Sequence, residues 1–264
     1  MTTAETATPH FEIERVVKRT FSVIKSNLLV FGLLSLIVAI PSAAFTWLEP
    51  STVIGLFDPS SIALRAAAWL LYVVSIFVLQ AAVVHGTVAD LNGKSASFTD
   101  CLSTGLAHFF PLLLIALLYF LLVFVGVIFL VVPGIVLAVM LSVAVPTRVV
   151  ERTRILASFD RSAELTKGHR WAIFGLFVAY SIVQVIISMV VFSIIGLSFM
   201  TAPTSEAAVM IAAGAANTWP VILASAIAQM ISAVLSATGT ASIYYELRQI
   251  KEGIGPETLA SVFD

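Results

Sequence analysis

Apolar residues along this chain come in long runs separated by short polar clusters, and the lengths of the runs decide what they are. The run from Phe109 to Thr147 contains no charged side chain. As a single helix it would rise roughly 58 Å at about 1.5 Å per residue, about twice the ~30 Å hydrocarbon core of a bilayer. The run must therefore fold back, and Pro133-Gly134 supplies the means. Proline removes a backbone donor and its ring meets the carbonyl of Phe129, while glycine accepts the dihedrals of a helix end. Freed backbone groups need water or another partner, so the pattern predicts a helical hairpin turning at Pro133-Gly134 on the membrane surface.

The same reading along the whole chain predicts six spans, at 28–48, 66–88, 109–131, 134–148, 171–199 and 219–243. The fold class is all-α: a polytopic membrane helical bundle, its six transmembrane helices paired as three hairpins. Residues 1–264 form one integral membrane domain, with an interfacial helix at 11–27 and a cytoplasmic tail at 244–264. Composition agrees, because 59% of residues are hydrophobic and 11% charged, with a mean hydropathy of +1.05; soluble domains carry about 25% charged residues. Pro41-Ser42-Ala43-Ala44 resembles a signal-peptide cleavage region, but the long polar approach before Leu28 favours a retained anchor.

Charge placement orients the bundle. With both termini cytoplasmic, every one of the 14 Lys and Arg residues except Arg65 falls on the inside. Removing the fourth span would put Arg148, Arg152, Arg154, Arg161, Lys167 and Arg170 on the wrong side. The expected location is the cell membrane. A net charge of -1 without a basic block excludes nucleic acid as a partner, and the single cysteine, Cys101, excludes an intrachain disulfide.

Each odd-numbered span follows a polar segment with apolar residues at helical spacing. Ile13, Val17, Phe21 and Ile24 share one face before the first span, and Ile155, Phe159 and Ala163 share one before the fifth. The segment before the third, "SFTDCLSTGLAHFFPLLL", is built in the same manner. These read as helices lying in the cytoplasmic interface, so that the chain repeats an interfacial helix plus hairpin three times. In the sixth span Ala224, Ala228, Ser232, Ser236 and Thr240 recur every four residues. Small residues let helix backbones approach closely in lipid, which predicts a central position for this helix.

Candidate chemistry is sparse. No Asp, Glu, Lys or Arg lies deep in a span, which argues against ion-coupled transport. The deep polar residues are Gln80, Gln184 and Gln229, read as interhelical hydrogen-bonding groups or as the lining of a polar path. His85, His108 and His169 fall near one depth with Asp90 and Asp100 nearby in sequence, but without the local spacing of a metal motif. No catalytic, cofactor-binding or metal-binding residue is assigned, and no cofactor is expected. Lys18, Arg19, Lys25, Arg148, Arg152, Arg154, Arg161, Lys167, Arg170 and Arg248 are candidate contacts for anionic lipid headgroups, at roughly 1 kcal/mol each near the surface.

In series, "VVPGI" (131–135), "VPTRVVE" (145–151), "FDRSAELTKGHRWAIF" (159–174) and "YYELRQIKEG" near the C-terminus resemble a poorly characterised prokaryotic family, the membrane domain of glycerophosphoryl diester phosphodiesterases. The similarity runs over nearly the whole chain, with the Pro-Gly turn and the Arg-Ser and Lys-Gly region its most specific parts. It implies a unit that in some relatives anchors a soluble phosphodiesterase domain, for which the roughly twenty residues after the sixth span leave no room. No catalytic residue is carried over. The expected function is non-enzymatic: a scaffold or accessory factor binding membrane lipids or a partner membrane protein. The alternative is a transporter or flippase-like protein for a lipid or small amphiphile, and a lipid-modifying enzyme is the third reading.

Overall fold

The computed structural model describes residues 11–48, 59–201, 205 and 219–253; the rest of the expected tail, 254–264, lies outside the described residues. Helices follow one another as α1 (Ile13–Ser26), α2 (Leu28–Trp47), α3 (Pro59–Leu91), α4 (Phe98–Phe129), α5 (Val131–Met140), α6 (Ala144–Glu151), α7 (Ile155–Thr166), α8 (Arg170–Thr201) and α9 (Trp219–Glu252). Among the described residues there is no strand. Six segments are long and apolar enough to cross a bilayer: α2, α3, α4, α5 with α6, residues 170–194 of α8, and α9. The molecule is a multi-pass membrane protein with an all-α bundle.

The turn after α4 is not at Pro133-Gly134. It is at Leu130, whose φ of -169° and ψ of 142° make it an extended residue between two helices. The proline works as anticipated but from the other side of the break. Its ring forbids helix across Phe129, and its missing N–H is harmless in the first turn of α5, where backbone donors have no intrahelical acceptor. Gly134 then serves close approach. A Cβ there would sit 2.3 Å from Val127 Cγ2 and 2.9 Å from the Val127 backbone nitrogen, and one on Gly126 would come within 3.0 Å of Gly134 Cα. The hairpin is closed by two glycines back to back.

The fourth span is itself interrupted at Leu141–Val143, and α7 repairs the interruption. Ser162 Oγ donates to the Met140 carbonyl at 2.8 Å, Thr166 Oγ1 donates to the same carbonyl at 3.2 Å, and the Val143 N–H donates to Ser162 Oγ at 3.2 Å. An orphaned buried carbonyl costs about 1–3 kcal/mol, which these hydroxyls avoid. The inner face of α7 is therefore Ser158, Phe159, Ser162, Leu165 and Thr166. The expected apolar face holds only in part, since Ile155 and Ala163 are half-buried.

α1 is amphipathic, yet the side that enters the bundle is Val16, Thr20 and Val23. Of the four residues read as its apolar face, Ile13, Val17 and Phe21 remain exposed and Ile24 is half-buried against the core. The segment before the third span is no separate helix at all. A capping box starts α4 there, with Ser97 Oγ accepting from the Asp100 N–H and Asp100 Oδ2 accepting from the Ser97 N–H, both at 3.2 Å. From Phe98 the helix then continues without interruption to Phe129. The three-fold repeat is thus seen as separate entry helices in its first and third units only.

α9 is the axis of the bundle, packing on α1, α2, α3, α6, α7 and α8. Its tightly packed positions are Val221 and Ile222 near its start, then Ala237, Thr238 and the whole stretch Ala241–Leu247. The small residues at four-residue spacing lie elsewhere: Ala228, Ser232, Ser236 and Thr240 face a seam with α8 that is not filled. The central position is as expected, and the face that secures it is the neighbouring one.

Candidate functional site

Two ensembles of polar residues stand out, one at the end of the bundle where α1, α6, α7 and the C-terminal part of α9 meet, the other along the α8/α9 seam. At the first, Glu246 is fully buried and accepts from Arg15 at 2.7 Å and from Arg19 at 2.5 Å. Arg19 also donates to Gln249 Oε1 at 2.7 Å and lies 5.1 Å from the Tyr245 ring centre. These contacts tie α1 to α9. Asn27, at the joint between α1 and α2, donates to Asp90 at 2.8 Å, and Tyr245 donates to the Leu91 carbonyl at 3.1 Å, which brings the end of α3 into the same layer.

Beside it, Glu151 accepts from Tyr244 at 2.9 Å and from Arg161 Nε at 3.1 Å. Arg161 also pairs with Glu164 and Glu252, and Arg248 binds Glu252 at 2.7 Å and Tyr244 Oη at 3.2 Å. Carboxylates and guanidiniums alternate here, with Glu151, Glu164 and Glu252 set around Arg161 and Arg248. These pairings tie α6, α7 and α9 together.

The network divides the ten basic residues proposed to meet headgroups. Arg19, Arg161 and Arg248 are engaged with buried or half-buried carboxylates, and Arg148 is held by the Thr153 carbonyl. Lys18 is exposed beside Glu14 on α1. Lys25, Arg152, Arg154 and Lys167 are exposed and Arg170 is half-exposed around the rim. Sequence alone could not place Arg19 in the engaged group, because Glu246 lies 227 residues away, whereas Arg248 and Arg148 find partners within five residues, as exposed helix residues also can.

Of the three histidines, His85 lies within electrostatic reach of both Asp100 and His108. His108 Nδ1 is 2.9 Å from the carbonyl of Thr104 one turn earlier, and His169 lies against Phe11 with ring centres 5.7 Å apart. Asp90 is held by Ser26 and Asn27, and Asp100 caps its own helix. Among the described residues no group of three or more His, Cys, Asp or Glu is arranged to hold a metal ion.

The second ensemble is a lateral groove between α8 and α9. Toward α1 it is a trough of about 270 Å³, lined among others by Phe21, Phe177, Tyr180, Ser236, Gly239 and Thr240. One helical turn further along the same seam lies a second cavity, a crevice of about 240 Å³ bounded by Gln184, Ser188, Ser225, Gln229 and Ser232 together with Ile187 and Phe192. Ser232 donates to Gln184 Oε1 across the seam at 2.9 Å. Two of the three deep glutamines thus meet in one place, while Gln80 on α3 is not part of it. The groove exists because α8 is held mainly by α9, with smaller contacts to α5 and α1, and because α9 offers it side chains too small to fill the gap. Comparison of the chain with protein-family models, curated proteins and solved structures gives no match.

Proposed function

We propose that this protein is a non-enzymatic, lipid-binding accessory protein of the cell membrane that seats one lipid laterally between α8 and α9, with its basic end and both termini in the cytoplasm. The observation that carries the reading is the groove itself, long, open on its side and lined by a polar seam set in apolar walls. In lipid there is no hydrophobic drive for an acyl chain to leave its neighbours, so retention rests on shape and on polar contacts made nowhere else. The exposed Lys25, Arg152, Arg154 and Lys167 at the basic rim suit anionic headgroups of the surrounding leaflet.

Ser225, Gln229, Ser232, Ser236 and Thr240 favour a second reading. They run along α9 from its middle toward the basic end, the succession of polar groups that a transporter or flippase-like protein needs to carry a lipid head across apolar surroundings.

Gly239 tests the groove without threatening the fold. A Cβ at this position meets nothing within 4 Å, so Gly239→Leu fills the trough and raises helix propensity by about 1 kcal/mol. Native mass spectrometry after gentle extraction is expected to find a lipid retained on the parent protein and lost from the variant, with thermal stability unchanged or higher. Equal retention by both removes the groove as the seat. A stoichiometric protein partner on a lipid-free subunit moves the assignment to the partner-binding form of an accessory protein.

A further inference from the structure

The chemistry of the groove goes further than lipid binding in general. Resting on the reading above, we infer that the crevice selects a lipid whose head is uncharged and carries hydroxyl or carbonyl groups, with its chains lying in the trough beneath α1. Three observations point to this ligand.

Among the described residues no charged side chain lines either part of the groove, although the chain has guanidiniums and carboxylates at one end of the same helices. A phosphate in the crevice would lie without a counter-charge at a depth of roughly 21 Å along α8 from Arg170 and roughly 15 Å along α9 from Trp219. That is near the middle of a ~30 Å hydrocarbon core, where desolvating an unpaired ion is prohibitive. A hydroxyl or ester at the same depth costs only about 1–3 kcal/mol and is compensated by hydrogen bonds.

The crevice supplies those hydrogen bonds in the right kind. Because Gln184 accepts from Ser232 through Oε1, its amide nitrogen is the end left to donate. Gln229 brings a full carboxamide, and Ser188 and Ser225 bring hydroxyls that donate or accept. Such a set reads a mixed donor and acceptor head, as in a glycerol with one free hydroxyl and two ester carbonyls. The volume agrees: about 240 Å³ equals the liquid share of about eight waters at ~30 Å³ each, enough for a glycerol-sized head.

The trough completes the site. It lies one helical turn from the crevice toward α1, along the same α8/α9 seam, between walls that include Val17, Leu176, Phe177, Val183, Leu235 and Ile243. An occupant with its head at Gln184 and Gln229 would therefore lay its chains along these side chains. A phospholipid would be seated the other way about, with its head outside the groove at the basic rim.

The test uses two lipids that differ only by the phosphate, dioleoylglycerol and dioleoylphosphatidic acid, titrated against the full chain in detergent with native mass spectrometry as the readout. The parent protein is expected to prefer dioleoylglycerol by roughly tenfold or more, about 1.4 kcal/mol. Gln184→Leu with Gln229→Leu, and Gln229→Leu alone as a milder form, are expected to lose that preference while keeping their melting temperatures. Equal or stronger binding of the phosphatidic acid by the parent, or an undiminished preference in the double variant, overturns the inference. If both lipids bind alike and both are lost in Gly239→Leu, the groove stands and only the choice of head is wrong. If Gly239→Leu displaces neither, the groove reading fails and takes this inference with it.

Discussion

Replacing Glu246 with alanine is expected to loosen α1 from α9 and to lower the free energy of unfolding by about 3 kcal/mol. The carboxylate is fully buried and accepts from two guanidiniums, so its removal leaves Arg19 without a carboxylate and Arg15 with only its partner one turn back on α1, Glu12. Losing one partner of a buried pair costs about 3–5 kcal/mol. The lower end applies because the Arg15 and Arg19 side chains are 38% and 23% exposed and recover part of their hydration. Thermal unfolding in detergent measures the loss, and trypsin should cut at Arg15, Lys18 and Arg19 far faster in the variant. Changing Arg15, Arg19 and Glu246 together to methionine is expected to restore most of the stability, because an apolar cluster needs no desolvation. A loss below about 1 kcal/mol for the single substitution would mean that the ion pairs do not hold α1.

Gly134→Ala has the other large expected effect, a destabilisation of about 2–3 kcal/mol by overpacking. The new methyl would meet the Val127 side chain at 2.3 Å and its backbone nitrogen and Cα at 2.9 and 3.0 Å. A rotamer change relieves the first contact only, so α4 and α5 must separate and the glycine-on-glycine closure of the hairpin is lost. Gly196→Ala in α8 is the matched control. Nothing lies within 4 Å of that Cβ, and the substitution should be neutral or stabilising by up to about 1 kcal/mol. Similar melting temperatures for the two variants would contradict the close approach.

The difference between those glycines shows which parts of this fold the sequence made legible. Span number follows from the bilayer, which imposes a length and an apolar composition on every crossing segment, and the central place of α9 was signalled by its small residues. Pro133 announced a break after Phe129, but which residue turns depends on how α4 and α5 pack, and that depends on Gly126 meeting Gly134. The interruption at Leu141–Val143 was invisible for a similar reason. Its repair comes from Ser162 and Thr166, about twenty residues later in a helix whose hydroxyls look like ordinary surface.

The groove was half legible. Gln184, Gln229 and the small residues of α9 were evident as deep polar positions and as a packing stripe. A stripe of small side chains has the same appearance whether the partner helix closes on it or stands away from it. Here the closest packing on α9 belongs to Val221, Ile222, Ala237, Thr238 and Ala241 to Leu247, and the stripe is left to the groove. The polar end was legible only as charge: Glu246 and Arg15 are separated by most of the chain, and no local pattern marks them as a buried pair.

The most direct test of the account is to find where a lipid rests. A phospholipid or acylglycerol with a photoreactive group in its chain, incorporated into membranes containing the protein and activated, leaves adducts that peptide mass spectrometry can map. The groove predicts adducts concentrated on Phe21, Phe177, Tyr180 and Val183 and on the α9 segment from Leu235 to Ile243, and suppressed by Gly239→Leu. Adducts spread evenly over the exposed apolar flank of α4, at Phe120, Phe124 and Ile128, with no excess on α8 and α9, would contradict it.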